Sequence, residues 1–329
     1  MSRVLKVMVA LLAIAAFAAP AFAADDYKFS VYGSMRLATF YSDFDQADDS
    51  DFTMNMQGNS RFGMKASKGA VSGHYEQAIG GGLRLLYGDY AFDGGKLRIG
   101  QAYTAFDFLG QTVYGDDGDF IGYGAGYEGR LPQIAFLMDN GFNFYLVQNK
   151  GQGAANDTTI PKLEVRYNGK AGNFSYSAAA GYQTFDAGVD EIGVDAYLLG
   201  FMGTVDFNPA ALTFQAVYGQ NAKDFGVSGA NYTYVASGEE DVDFMGLWAE
   251  LSFKADDMNL IRVGVGYQEE DADFVEADNS MQYYIHDQYT IAPGFFVVPE
   301  ITFIDEMDES DGSSGEESFH VGAKWQINF

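Results

Sequence analysis

The 329-residue chain has no cysteine, which excludes disulfides, thiolate nucleophiles and Cys-ligated metals. Its formal charge of −27 excludes the basic surface that nucleic-acid binding requires. Aromatic residues reach 16%, yet no run of roughly 18 apolar residues follows the first two dozen, so a bundle of membrane helices is excluded as well.

Residues 1–23 read as a secretory signal peptide. Arg3 and Lys6 make its positive start, residues 7–19 its apolar stretch, and Ala21-Phe22-Ala23 an A-x-A cleavage site. Cutting between Ala23 and Ala24 leaves residues 24–329 as one domain. Removal of Arg3 and Lys6 from 19 basic side chains leaves 17 against 46 acidic ones.

From Tyr27 onward the dominant period is two. One face of the first segment reads Tyr27, Phe29, Val31, Gly33, Met35, Leu37, and the other Lys28, Ser30, Tyr32, Ser34, Arg36. The chain ends in the same way, with Phe319, Val321, Ala323, Trp325, Ile327 and Phe329 alternating with His320, Gly322, Lys324, Gln326 and Asn328. Successive strand side chains point to opposite faces, so each segment carries an apolar and a polar face. Segments of about ten residues with tyrosines near their ends fit tilted strands that cross a bilayer with the apolar face outward.

Short turns recur at Lys68-Gly69-Ala70, Asp93-Gly94-Gly95, Asp139-Asn140-Gly141, residues 169–172, Asn208-Pro209, Ala255-Asp256-Asp257 and Ala292-Pro293-Gly294. Between them lie polar stretches near 42–51, 104–129, 150–159, 185–192, 221–240, 270–280 and 305–316, and a tight Gly80-Gly81-Gly82. Fifteen connections predict sixteen strands, and an even number lets an antiparallel barrel close. The acids concentrate in the long connections, among them Asp43, Asp45, Asp48, Asp49 and Asp51 in the first and Asp305, Glu306, Asp308, Glu309 and Asp311 in the last. Water-exposed loops are where a membrane barrel can carry charge.

No catalytic or metal constellation emerges. His74, His286 and His320 are scattered, and no serine is paired with a histidine and an orienting acid, so no enzyme is expected. His320 reads as a polar lining residue. Asp116-Asp117-Gly118-Asp119 and residues 305–311 are expected to attract Ca²⁺ or Mg²⁺ weakly at most, because neither forms an EF-hand loop. No cofactor is expected.

Several motifs resemble one family, the sixteen-stranded trimeric general porins of Gram-negative outer membranes. Val31-Tyr32-Gly33-Ser34-Met35-Arg36 resembles its opening strand, and Ser60-Arg61-Phe62-Gly63-Met64-Lys65-Ala66 its second. Leu83-Arg84-Leu85-Leu86-Tyr87-Gly88, followed by residues 94–103, is similar to its fourth and fifth strands. The ending Trp325-Gln326-Ile327-Asn328-Phe329 resembles the signal, carried here by Trp325 and Phe329, that the barrel assembly machinery recognises.

The resemblance implies a homotrimer in outer-membrane lipid and a third loop folded into the barrel, with loop acids facing basic wall residues. By alternation Arg36, Arg61, Arg84 and Arg98 face away from lipid, and the first three match the family's wall cluster. Gln101 stands where many members have a basic residue. The loop acids would be Asp107, Asp116, Asp117 and Asp119, although the loop lacks the family's P-E-F-G-G-D sequence. The implied function is passive diffusion of small hydrophilic solutes and ions, leaning toward cations because the loops are acidic. The alternatives are a channel specific for sugars or organic acids, for which Tyr103, Phe106, Phe108, Tyr114 and Phe120 could form a stacking track, and, below it, a barrel enzyme. An adhesive role of the acidic loops is the weakest reading.

Overall fold

The structure is a computed structural model that describes residues 27–45, 49–114, 123–149, 160–187, 192–227, 233–235, 238–272 and 276–329. The predicted signal peptide, with Ala23 and Ala24, lies outside the described residues. Sixteen antiparallel strands form a closed barrel. The first is β1 (Lys28–Phe44), followed by β2 in two segments (Asp49–Met56 and Arg61–Lys68), β3 (Val71–Ala78), β4 (Leu83–Phe92) and β5 (Gly95–Tyr103). Then come β6 (Arg130–Met138), β7 (Phe142–Val147), β8 (Lys162–Ala171), β9 (Phe174–Ala187), β10 (Ile192–Asp206) and β11 (Ala210–Gln220). The last five are β12 (Asp243–Lys254), β13 (Asn259–Asp271), β14 (Asp278–Ala292), β15 (Phe295–Asp308) and β16 (Glu317–Asn328). A 3₁₀ turn, Ala222–Phe225, and a small hairpin, Thr233–Val235 with Gly238–Glu240, lie between β11 and β12.

Every predicted short turn joins the strands expected of it. The turn between β12 and β13 shows why these sequences reverse the chain. Asp256 accepts the backbone N–H groups of Met258 at 2.7 Å and Asn259 at 2.8 Å, which satisfies donors that the ladder leaves free. The same bonds favour the charged carboxylate and hold its pKa below the ordinary aspartate value.

Closure occurs where β1 meets β16, with Arg36 opposite Gln326 and Leu37 opposite Trp325. The seam ends in a reciprocal pair: Gly33 N–H donates to the Phe329 carbonyl at 2.8 Å, and Phe329 N–H to the Gly33 carbonyl at 3.1 Å. Lipid offers backbone groups no partner, so a sheet within it must close on itself. The alternation then has one consistent sense around the ring. Leu86, Ile99, Phe144, Ile285 and Trp325 are exposed on the outside, whereas Glu164, Gln183, Gln215, Glu300 and His320 are buried inside.

Two features depart from the sequence reading. Strands continue past the boundaries that hydropathy indicates, so Asp43, Asp51, Asp305, Glu306 and Asp308 stand on strand ends and not in loops. Backbone pairing continues beyond the apolar band, where charged side chains are solvated at no cost. The second departure is the break in β2 at residues 57–60. There Ser60 Oγ accepts the Arg36 N–H at 3.0 Å and donates to the Arg36 carbonyl at 3.1 Å, beside the Gln57 N–H that reaches the same carbonyl at 3.0 Å.

Gly322 lies at the seam, and a Cβ there would run into the Thr39 carbonyl oxygen and the ring of Phe40. Gly322→Val is expected to break β1–β16 pairing, lowering the temperature at which the folded band is lost in unheated detergent gels. Gly69→Val, at a turn glycine with open space around it, tests a cost that is conformational only, because its φ is 56°; the shift there is expected to be smaller.

Candidate functional site

Inside the barrel the connection from β5 to β6 crosses the lumen. It leaves β5 beside β8, where Ala105 N–H donates to Glu164 Oε2 at 2.8 Å and Asp107 pairs with Arg166. Phe106 and Phe108 then sink completely into an inward-facing apolar patch of Ala179, Ala196, Leu198, Val217, Phe225 and Phe244. Except for Phe225, which comes from the 3₁₀ turn, that patch belongs to the inside of β9–β12, where a barrel wall would otherwise be polar. Glycines make the space: a Cβ on Gly181 would lie 2.9 Å from Phe106, and one on Gly200 2.8 Å from Phe108.

On the far side the loop reaches β15. Thr112 Oγ1 (2.9 Å), Val113 N–H (2.8 Å) and Tyr114 N–H (2.8 Å) all donate to the carboxylate of Glu300. Thr302 Oγ1 donates to it as well, at 2.8 Å, and His286 Nδ1 lies 3.2 Å away. Glu300 is only 2% exposed. Hydrogen bonds to a charged group contribute about 1.5–3 kcal/mol each, so this set offsets a desolvation cost of several kcal/mol. Gln57 Nε2, from the break in β2, donates to the Val113 carbonyl at 3.0 Å, and Tyr114 stacks on His320 with ring centroids 3.6 Å apart.

The return path is tied at three points. Tyr123 donates to Glu306 at 2.7 Å, Gln215 Nε2 donates to the Gly124 carbonyl at 3.3 Å, and Glu128 pairs with the fully buried Lys162. Lys162 also donates to the Asp224 carbonyl at 2.7 Å, which joins this loop to the 3₁₀ turn after β11.

The predicted arginines stand on the inner face of β1–β5, where Val113 and Tyr114 of the loop also pack against Ala38 and Phe40 of β1. Arg84 Nε donates to Glu76 Oε1 at 2.7 Å, and Arg61 Nη1 lies 3.6 Å from the same oxygen. Arg36 is one strand away and donates to Ser34 Oγ at 3.0 Å. Arg98 forms a separate group further toward the short turns. Its guanidinium bonds both oxygens of Asp89, at 2.8 and 2.9 Å, and lies 3.8 Å from the centroid of the Tyr87 ring.

This arrangement corrects two expectations. Asp107, the only predicted loop acid among the described residues, pairs with Arg166 on β8 and not with the arginine wall; Asp116, Asp117 and Asp119 lie outside the described residues. Gln101 shares the outward side with Leu86 and bonds the Leu83 carbonyl at 2.6 Å, so it is no substitute for a basic wall residue. The carboxylates facing the arginines are Glu76 and Asp89, which the sequence reading missed although both have inward parity. Arg130, the first residue of β6, was missed too and lies 5.3 Å from the centroid of the Tyr103 ring.

A family profile described as Gram-negative porin matches residues 10–306. The chain belongs to the Gram-negative porin family. No individual curated protein matches it. Among solved structures, the outer membrane channel DcaP of Acinetobacter baumannii is 17% identical, covering 92% of this chain and 97% of its own, with a TM-score of 0.75. The trimer form of OmpT from Vibrio cholerae is 16% identical, covering 92% and 100%, with a TM-score of 0.65. The anion-selective porin from Comamonas acidovorans is 14% identical, with the same coverages and a TM-score of 0.63. At these identities the likeness is one of fold. The protein is therefore a porin of the outer membrane, a barrel that acts as a channel for diffusion.

Glu300→Ala removes the acceptor that holds the far end of the loop. Roughly twofold higher single-channel conductance with added current noise is expected in planar bilayers, because loop and wall together limit the free cross-section. Unchanged conductance would mean that residues 112–114 do not border the path.

Proposed function

We propose that this porin passes small hydrophilic solutes and ions along the inner face of β1–β6, between the third loop and the charged wall. The observation that carries the reading is the asymmetry of the lumen. One side is sealed by Phe106 and Phe108 against apolar wall, and the other presents Arg36, Arg61, Arg84 and Arg98 with Glu76 and Asp89. Fixed charges of both signs along a narrow gap orient polar solutes and leave apolar ones without compensation for displaced water. The chemistry is sieving and no bond is made, so the protein is read as a channel and not an enzyme. Liposome swelling tests this: uptake rates of sugars should fall with solute size alone, and saturation by a single sugar would oppose it.

Ion preference has two competing sources. The acidic loops and strand ends favour cations at the mouth, and they act through solvent that screens them within about 10 Å at 0.1 M salt. The wall basics act deeper, where screening is weaker. We propose a cation preference at low salt that shrinks as salt rises. The check is the reversal potential in KCl gradients at about 10 mM and about 1 M; anion preference at both would overturn it.

That outcome would favour the second reading, a channel for organic acids, for which the guanidinium groups around Glu76 supply the carboxylate-binding chemistry. Arg84→Ala should then weaken block by a dicarboxylate roughly tenfold.

We also propose a homotrimer, as in the trimer form of OmpT from Vibrio cholerae. Trp325 and Phe329 are proposed as the signal read by the barrel assembly machinery. In their support, Trp325 stands exposed on the lipid side and Phe329 ends the seam.

A further inference from the structure

Among the described residues, the outer face carries one carboxylate out of place. Asp287 pairs across β13 and β14 with Ile261 and shares the lipid side with Ile285. Outward-facing acids elsewhere, such as Asp43, Asp195, Asp243, Glu269 and Asp305, stand within four residues of the loop ends of their strands. Asp287 instead lies five residues inside the turn end of β14 at Ala292, two residues before Tyr289, and its partner Ile261 pairs in turn with Phe253.

Its surroundings form a hollow of about 390 Å³ lined by Ile261, Ile285, Pro299, Ile301 and Val321. Pro299 has no N–H, and the β14–β15 ladder passes from His286–Glu300 to Tyr289–Val297 without a pair at Asp287. The carboxylate faces the backbone N–H of Leu260, and its Oδ1 accepts no hydrogen bond. A shielded carboxylate oxygen without a donor, at the edge of lipid, calls for a cationic donor.

We propose that this hollow binds an aminophospholipid in the leaflet on the short-turn side, its primary ammonium on Asp287 and an acyl chain against Ile285, Ile301 and Val321. The charges match: Asp287 and the turn residue Asp256 add to a negative field at this rim. The shape matches as well, because the apolar part of the hollow rises from the carboxylate toward the middle of the barrel wall. A primary ammonium donates hydrogen bonds, whereas the trimethylated ammonium of a choline headgroup donates none. The site should therefore discriminate between the two.

The test is native mass spectrometry of the intact protein released from nanodiscs of equimolar phosphatidylethanolamine and phosphatidylcholine. Wild type should retain the ethanolamine lipid over the choline lipid by roughly fivefold. Asp287→Asn, which keeps the shape, should lose that preference, and Asp195→Asn, on the opposite rim, should keep it. Ile301→Phe, which fills the hollow and leaves the carboxylate, should lose it too; this second variant covers a failure of Asp287→Asn to fold. No preference in wild type, or equal preference in wild type and both hollow variants, would overturn the proposal. Disulfide-linked oligomers of Asp287→Cys would also overturn it, by showing that a second copy of the chain covers the hollow.

Discussion

The backbone of a sheet in lipid cannot leave an edge unpaired, and most of this architecture follows from that. Water would satisfy free N–H and C=O groups at several kcal/mol each, and hydrocarbon does not. The β1–β16 seam, finished by the reciprocal Gly33–Phe329 bonds, removes the last edge. Once the ring is closed, every side chain lies either toward lipid or toward the lumen. The apolar residues of the alternation go outward, and the lumen receives the polar ones together with a few apolar ones that need a cover.

The third loop is that cover. Ala196, Leu198, Val217 and Phe244 are inward-facing apolar groups, and Phe106 and Phe108 bury them. This hydrophobic contact fixes the near end of the loop, and the Glu300 clamp fixes the far end through charge-assisted bonds. The two attachments differ in physics but act on one segment, so the lumen divides into a filled side and a charged side. On the charged side Glu76 holds Arg61 and Arg84 and Asp89 holds Arg98, which offsets the repulsion between like charges on the wall.

The strand number was legible because turn chemistry is local: Lys68-Gly69-Ala70 or Ala255-Asp256-Asp257 announces a reversal without knowledge of the rest of the chain. The inward parity of Arg36, Arg61, Arg84 and Arg98 was legible for the same reason, since alternation needs only neighbouring residues. Partners were not. Glu76 meets Arg84 through strand register, and Glu300 meets Val113 across 187 positions of sequence. A carboxylate with inward parity looks the same in sequence whether it binds a loop or faces solvent. A usable signal was present in Gly181, Gly200 and Gly246, glycines at inward positions of three strands close together in the sequence. They mark where another segment presses on the wall. The break in β2 had no such signal, because Gln57, Asn59 and Ser60 also suit an ordinary strand end.

The central claim is that the third loop spans the lumen and is held at Glu300, so that passage follows the arginine wall. Thr112 and Thr302 both donate to the same Glu300 oxygen, at 2.9 and 2.8 Å, so the two hydroxyls converge on one carboxylate oxygen. The chain has no native cysteine to interfere. The most direct measurement is disulfide formation in the Thr112→Cys/Thr302→Cys double variant in isolated outer membranes, followed by single-channel conductance before and after reduction. A spontaneous cross-link with conductance close to wild type is the predicted result. Failure to cross-link in the folded barrel, or a cross-link that closes the channel until reduced, would contradict the account.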